Sequence, residues 1–235
     1  MALPIITLPI KKLILSDGKS VNYRPFTVRE EKLLLLAKEE GDTEIKYDTV
    51  IQIITNCTFG ELDVSKLKTI DVERLFVNIR CSSVGSQVTL TFICKQDTGD
   101  DKTCGGMLRI PINLENTEYP KLPDNIKTTF MVDDISIILK QPTLGTLSAS
   151  TNNDKYTDIV FYINKIVQGD EVYESSDVTL DELEAFVDSV PLDMKLDMAK
   201  TIDRFPKAQQ NVKYECNDCG NSGDYTIRGI ESFFM

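Results

Sequence analysis

Four of the six cysteines stand where a metal ion could be bound. Cys216 and Cys219 are separated by two residues and followed by Gly220, an arrangement typical of a zinc knuckle. The short gap lets both thiolates reach one ion, and the glycine permits a tight turn that directs backbone N–H groups at sulfur. Cys104-Gly105-Gly106 repeats the second half of this pattern, although its partner Cys94 lies nine residues away across a polar loop. We predict one structural zinc ion held by Cys94, Cys104, Cys216 and Cys219.

Other interpretations of the cysteines stay open at this level. A redox Cys-x-x-Cys normally precedes a helix, whose N-terminus lowers the thiol pKa, whereas a polar hairpin is expected after Cys219. Disulfides are disfavoured in the reducing cytoplasm where we expect the chain to be made. Free surface thiols are the main alternative to the metal site. Cys57 and Cys81 lie in segments with helical periodicity and are predicted to be small core residues.

Predicted strands place the two cysteine pairs at hairpin ends. Apolar residues alternate from Val88 to Cys94, which is the period of a strand, and residues 107–114 form the expected return strand. Residues 212–215 and 225–228 flank the second pair in the same way. A zinc ion closed by four thiolates has no open position for water, so this site is predicted to hold structure and not to catalyse.

The N-terminal region is predicted to form a hairpin followed by helices. Asp17-Gly18 favours a tight turn between two short strands. Thr27 and Glu30 have the spacing of a capping box, at the start of a helix that Gly41 would end. The four consecutive leucines 33–36 cover more than one helical stripe, which predicts burial around much of this helix.

The spacing of apolar residues predicts the elements in the rest of the chain. Helical spacing predicts two further N-terminal helices around residues 47–54 and 71–79, and residues 127–132 and 135–140 are predicted to form a hairpin around Asp133-Asp134. After Pro142 the period is helical again, with a cap at Thr179. The predicted helical faces are Tyr156, Ile159, Val160 and Ile163; Leu180, Leu183, Phe186, Val187 and Val190; and Leu192, Leu196, Ala199 and Ile202.

The sequence therefore predicts one α+β chain with four regions. They are an N-terminal hairpin plus helical region (1–84), a central region of antiparallel strands with the first cysteine pair (85–141), an acidic helical region (142–206), and a C-terminal hairpin (207–235) packed on the central strands. The two cysteine pairs would form a split unit similar to a zinc ribbon.

Charge and composition exclude several functions. The net charge of −11 opposes general binding of nucleic acid, and no apolar run is long enough to span a membrane. The chain has no histidine, which excludes Ser-His and Cys-His nucleophile pairs, so we expect no enzyme, no catalytic residue and no small-molecule substrate. Residues 170–203 carry a net charge of −9, from eleven acidic residues against Lys195 and Lys200. This stretch is either a solvated helical face or an acidic docking surface for a basic partner.

Two smaller features complete the candidate sites. Asp100-Asp101 and Asp133-Asp134 are acidic pairs in predicted turns, where turn chemistry explains them without a bound ion. Phe233 and Phe234 are apolar at a chain end, where residues are usually polar. We predict that both are buried, preferably in a groove on a partner protein.

Several segments, in this order and spacing, resemble a baseplate protein family of contractile-tailed bacteriophages of the T-even type. They are residues 21–35, 56–60 with 62–64, 80–85, 169–173, 216–220 and 229–234. The long Cys94–Cys104 gap departs from the family pattern. The resemblance implies a structural component of the tail baseplate hub, assembled in the host cytoplasm and binding other hub and tail proteins in the virion. The alternatives are a tail-assembly chaperone that is absent from the mature virion and, from another class, a zinc-ribbon nucleic-acid-binding protein.

Overall fold

The computed structural model describes residues 6–99, 102–148 and 158–229. Within these ranges the chain forms six α-helices and twelve β-strands, and all strand pairs are antiparallel. The predicted mixture of helices and antiparallel strands is therefore confirmed. Among the described helices, none has the length and apolar character that crossing a membrane requires.

The N-terminal hairpin and the first three helices share one core. The elements are β1 (Lys11–Ile14), β2 (Ser20–Tyr23), α1 (Val28–Glu40), α2 (Thr43–Cys57) and α3 (Thr69–Val84). The predicted turn and capping box are confirmed: Gly18 has a φ of 86°, and Thr27 and Glu30 cap α1 reciprocally. The core consists mainly of side chains that α2 and α3 bury against each other, including Val50, Ile53, Ile54, Val72, Leu75, Phe76 and Ile79.

The prediction that α1 is buried around much of its circumference is wrong. Leu33 and Leu34 are half-buried against the core, whereas Leu35 and Leu36 are each 56% exposed. The reason is that α1 lies at the edge of the molecule and packs mainly against α2. One neighbouring helix covers only one stripe of α1.

The central strands form a hairpin with a smaller hairpin inserted at its tip. The strands are β3 (Gln87–Ile93), β4 (Asp97–Gly99), β5 (Lys102–Thr103) and β6 (Met107–Asn113). β3 pairs with β6, while β4 and β5 pair with each other. Leu90, Ile110 and Ile112 are buried on the inner face of the larger hairpin, as strand alternation predicts.

The prediction of a helical face ending at Ile163 is wrong. Tyr156 lies outside the described residues, residues 158–162 form a 3-10 helix, and Ile163 begins a strand. The elements here are β7 (Thr129–Val132), β8 (Ile135–Leu139), α4 (Leu144–Ser148), β9 (Ile163–Gln168) and β10 (Glu171–Glu174). The four strands form one sheet in the order β10-β9-β8-β7. Gly169, with a φ of 57°, lies in the turn between β9 and β10, and β-branched Ile163, Ile166 and Val167 suit a pleated sheet.

Two helices pack against this sheet. Thr179 caps α5 (Leu180–Ser189) as predicted, and Leu183 and Val187 enter the core. The predicted face of α6 (Leu192–Asp203) is wrong at two positions, since Leu192 and Leu196 are 66% and 51% exposed. Met198 is buried instead, because the helix rests on its opposite side.

The C-terminal hairpin packs on the central one. It consists of β11 (Gln209–Glu215) and β12 (Ser222–Arg228). Val212 and Ile227 form a core with the inner faces of β3 and β6, and Val77 of α3 closes it. The two hairpins therefore bring both cysteine pairs to the same end of one small core.

Candidate metal centre

The four predicted cysteines converge at the tips of the two hairpins. All four Sγ atoms lie within 4.8 Å of one another. The Sγ atoms of Cys94 and Cys219, and those of Cys104 and Cys216, are each 3.7 Å apart. A tetrahedral ion with metal–sulfur bonds of about 2.3 Å separates its ligands by about 3.8 Å, whereas a disulfide requires about 2.05 Å. The spacing fits four thiolates around one metal ion and does not fit two disulfides.

The two cysteine pairs have the same backbone geometry. Gly220 N–H donates to the carbonyl of Cys216 at 2.8 Å, and Gly105 N–H donates to the carbonyl of Cys94 at 3.0 Å. Both glycines have a φ of 69°, in the left-handed region that favours glycine. Each pair is therefore closed by the glycine that follows its second cysteine, as in a zinc knuckle.

The inserted hairpin explains the long first gap. Cys104 N–H donates to the carbonyl of Gln96 at 2.8 Å, directly below the β4–β5 hairpin. The chain thus leaves the knuckle after Gln96 and returns to the same place at Cys104. The Cys94 pair is a Cys-x-x-Cys knuckle with seven residues, 97–103, inserted before its second cysteine.

Backbone N–H groups point at the sulfurs in both knuckles. The N–H groups of Cys219 and Asp218 donate to the Cys216 thiol and lower its pKa to about 7. The Gly106 N–H acts in the same direction on Cys104, but contacts with the Cys219 and Cys216 thiols, together with burial, outweigh it and raise the Cys104 pKa to about 12. The N–H of Gln96 lowers the pKa of Cys94, but burial and the Cys219 and Cys216 thiols outweigh it, so this pKa is also raised. A divalent cation would supply the charge that lets the adjacent thiols lose their protons together.

Gly106 allows the two knuckles to approach. A Cβ atom at this position would lie 3.1 Å from the Cys216 sulfur and would collide with the Asp218 carboxylate. The sequence motif Cys104-Gly105-Gly106 predicted a turn at Gly105, whereas the contact of Gly106 with the other knuckle depends on the tertiary fold.

Aromatic and apolar side chains cover the inner side of the cluster. Cys94 and Cys216 are only 2% exposed and pack with Leu108, Phe92 and Tyr214, whereas Cys219 faces solvent. A strand, and not a helix, follows Cys219. The site therefore lacks the helix N-terminus that a redox Cys-x-x-Cys uses to lower its thiol pKa.

The other candidate residues lie elsewhere. Cys57 is buried in the N-terminal core, where burial raises its pKa to about 11, and Cys81 packs at the edge of the hairpin core. Asp133 and Asp134 form the β7–β8 turn. Asp100 and Asp101, like Phe233 and Phe234, lie outside the described residues.

Sequence reasoning missed Gln96, whose N–H and carbonyl both serve the first knuckle. The sequence did contain an indication of this hairpin. Thr98 favours a strand, and the Gly99-Asp100 dipeptide that follows it is typical of a hairpin turn. Recognising that hairpin would have shown that Gln96 and Cys104 are neighbours.

Nearly the whole chain matches one family of known proteins. A family model described as T4 bacteriophage base plate protein matches residues 7–235. The chain belongs to that family. It is similar to the baseplate hub assembly protein gp26 of Enterobacteria phage T4, with 26% identity over 219 residues that cover 92% of this chain and 93% of that protein. No solved structure matches the chain. The resemblance predicted from the sequence is confirmed, and the family connects the chain to the phage tail baseplate.

Proposed function

We propose that the chain is a structural subunit of the phage baseplate hub that binds other hub and tail proteins. The observation that carries this proposal is the match of a base plate family model to residues 7–235. In this role the fold needs no chemistry of its own.

We further propose that one zinc ion, held by Cys94, Cys104, Cys216 and Cys219, fastens the central hairpin to the C-terminal one as a split zinc ribbon. The sulfur spacing and the paired knuckle geometry support this assignment. Four thiolates leave no open coordination position, so we propose a structural role for the metal, and we propose no enzymatic activity for a chain without histidine.

Elemental analysis tests the metal. Freshly prepared, reduced protein should contain about one zinc ion per chain, and a chelator should lower its melting temperature because binding free energy is part of folding free energy. Protein that is folded and free of metal under these conditions would rule the zinc site out. Zinc content is measured on the isolated protein, so the result tests the metal site independently of the proposed hub role.

The second candidate is a tail-assembly chaperone, which the name of the similar phage T4 protein, a hub assembly protein, favours. A structural subunit stays in the finished particle, whereas an assembly chaperone leaves before the particle is complete. We expect the tagged chain to be found in purified, infectious particles at a constant ratio to the tail tube protein. Its presence in assembly intermediates and its loss from finished particles would favour the chaperone.

A further proposal concerns a contact between Phe233 and Phe234 and a partner protein. We propose that Phe233 and Phe234 bind a groove on a neighbouring subunit, since an apolar chain end is better explained as a contact than as an exposed surface. Deleting residues 232–235 should then leave the melting temperature of the isolated protein unchanged and reduce its incorporation into baseplates. A fall in melting temperature of the isolated protein would instead mean that these side chains pack within their own chain.

The four regions 1–84, 85–141, 142–206 and 207–235 are proposed as successive segments of a single unit. The cores support joining them, since Val77 of the first region packs with Leu90 of the second and Ile227 of the last. Leu139 of the second region also packs with Ile163 of the third. The net charge of −11 weighs against the zinc-ribbon nucleic-acid-binding alternative. We propose protein partners only, without nucleic acid, membrane or small-molecule ligands.

A further inference from the structure

Helix α6 carries apolar side chains on two opposite sides. Met198 is fully buried and Met194 is half-buried in the core beneath the helix. Leu192 and Leu196 are 66% and 51% exposed. At about 100° per residue, the midpoint of the two leucines lies about 160° around the helix from the midpoint of the two methionines. Packing against the sheet of the same chain therefore cannot account for Leu192 and Leu196.

Acidic residues surround the two leucines. Asp193 and Asp197 each follow a leucine by one residue, and both are exposed. Asp188 of α5 and Asp203 at the end of α6 are also exposed. Lys195 and Lys200 are the two basic residues of α6: Lys195 is half-buried, and Lys200 bonds to Asp197 at 2.9 Å, so the acidic residues outnumber them. The leucine pair is thus the apolar centre of a negatively charged surface.

We propose that this surface, centred on Leu192 and Leu196, binds a basic amphipathic helix of a partner protein. Side chains at i and i+4 form a ridge that fits between the side-chain rows of a second helix. Lysine and arginine beside the apolar positions of that helix would complement the aspartates and speed its association. This inference rests on the proposed hub role and specifies the kind of partner segment that the chain would bind there. It also goes beyond a purely solvated acidic face, which would not need two exposed leucines.

The direct test uses the full chain and a defined probe. The probe is an 18-residue synthetic peptide with leucines at i, i+4 spacing and lysines beside them, and its control has the same composition in scrambled order. The test variant is Leu192→Gln with Leu196→Gln. The matched control is Met131→Gln with Val172→Gln, which changes two residues that are 65% and 53% exposed and face away from the helices on the sheet.

Fluorescence anisotropy should show at least tenfold weaker peptide binding for the α6 variant and unchanged binding for the control variant. Replacing Asp188 and Asp193 with Asn should slow association and make it less sensitive to salt, because long-range attraction is screened by ions. Equal binding by the two glutamine variants, equal binding of the scrambled peptide, or an association rate indifferent to salt would overturn the proposal.

Two further measurements separate the possible failures. All four replaced residues are exposed, so melting temperatures should stay close to that of the parent chain; if the double variant is unfolded, Leu196→Gln alone is used. Zinc content and recovery of the parent chain in baseplates are measured independently of the peptide. If zinc content and recovery in baseplates are normal but the α6 variant binds the peptide as the parent chain does, the proposed binding surface is wrong and the proposed hub role stands.

Discussion

Removing the inserted hairpin should leave the metal centre intact. Deletion of residues 97–103 joins Gln96 to Cys104 and produces Cys-Lys-Gln-Cys-Gly-Gly, which has the spacing of the Cys216 knuckle. The structure supports this join, because Cys104 N–H already donates to the Gln96 carbonyl at 2.8 Å. We therefore expect the shortened chain to bind one zinc ion, as we propose for the parent chain.

The energy balance favours retention of the metal. The described residues of the insertion, 97–99 and 102–103, are all exposed, so their removal sacrifices no core contact. Shortening the loop from nine intervening residues to two lowers its closure entropy cost by about 1 kcal/mol. A structural zinc ion contributes about 10–16 kcal/mol of apparent binding free energy in small domains. The melting temperature of the zinc-bound protein should rise by about 2–4 °C.

The assay combines elemental analysis with thermal unfolding in the presence and absence of a chelator. The matched control deletes one more residue, 96–103, and leaves Cys-Lys-Cys, which breaks the knuckle spacing. This control should lose zinc and melt at a lower temperature. Loss of zinc from the 97–103 deletion as well would refute the view that the first pair is an interrupted knuckle.

Three other predictions concern single residues. Cys219→Ser should lose the metal and destabilise the chain by several kcal/mol, whereas Cys81→Ser should retain one zinc ion; equal zinc content in both variants would contradict the ligand assignment. Gly106→Ala should weaken zinc affinity at least tenfold in a chelator competition, because its Cβ would lie 3.1 Å from the Cys216 sulfur. Burial opposes ionisation of Glu30, but hydrogen bonds from Arg24 and Thr27 outweigh it and lower its pKa to about 2. This stabilisation is complete above the ordinary glutamate pKa and is lost as pH falls towards 2, so Glu30→Gln should cost about 3 kcal/mol at pH 7 and flatten the fall in stability between pH 5 and 2. A parallel pH dependence of unfolding in the two proteins would show that Glu30 has no such role.

Local chemistry made much of the fold predictable. The turn at Asp17-Gly18 and the capping box of Thr27 and Glu30 depend on residues within a few positions of each other, and both are present. The strands beside Cys94 and Cys216 were visible in their period of two. The convergence of the four cysteines followed from placing each pair at a hairpin tip.

Burial was less predictable, because it depends on which neighbours cover an element. Leu35 and Leu36 look like core residues by type, but α1 has one neighbouring helix and leaves them exposed. Leu192 and Leu196 have helical spacing, yet α6 places its methionines inward. Ile163 satisfies the spacing of a helical face, but pairing with β8 makes it the first residue of a strand.

The long separation between the two knuckles fixes when the protein can finish folding. Cys94 and Cys219 are 125 positions apart, so the second knuckle is made well after the first. At about 5–20 residues per second, synthesis of these 125 positions takes about 6–25 s, and during this time the second knuckle is absent. During this interval Leu90 and Ile110 lack the C-terminal strands that later cover them. Completion of the four-cysteine cluster therefore has to follow synthesis of the second knuckle, and a shortened chain that stops before Cys216 cannot complete this core.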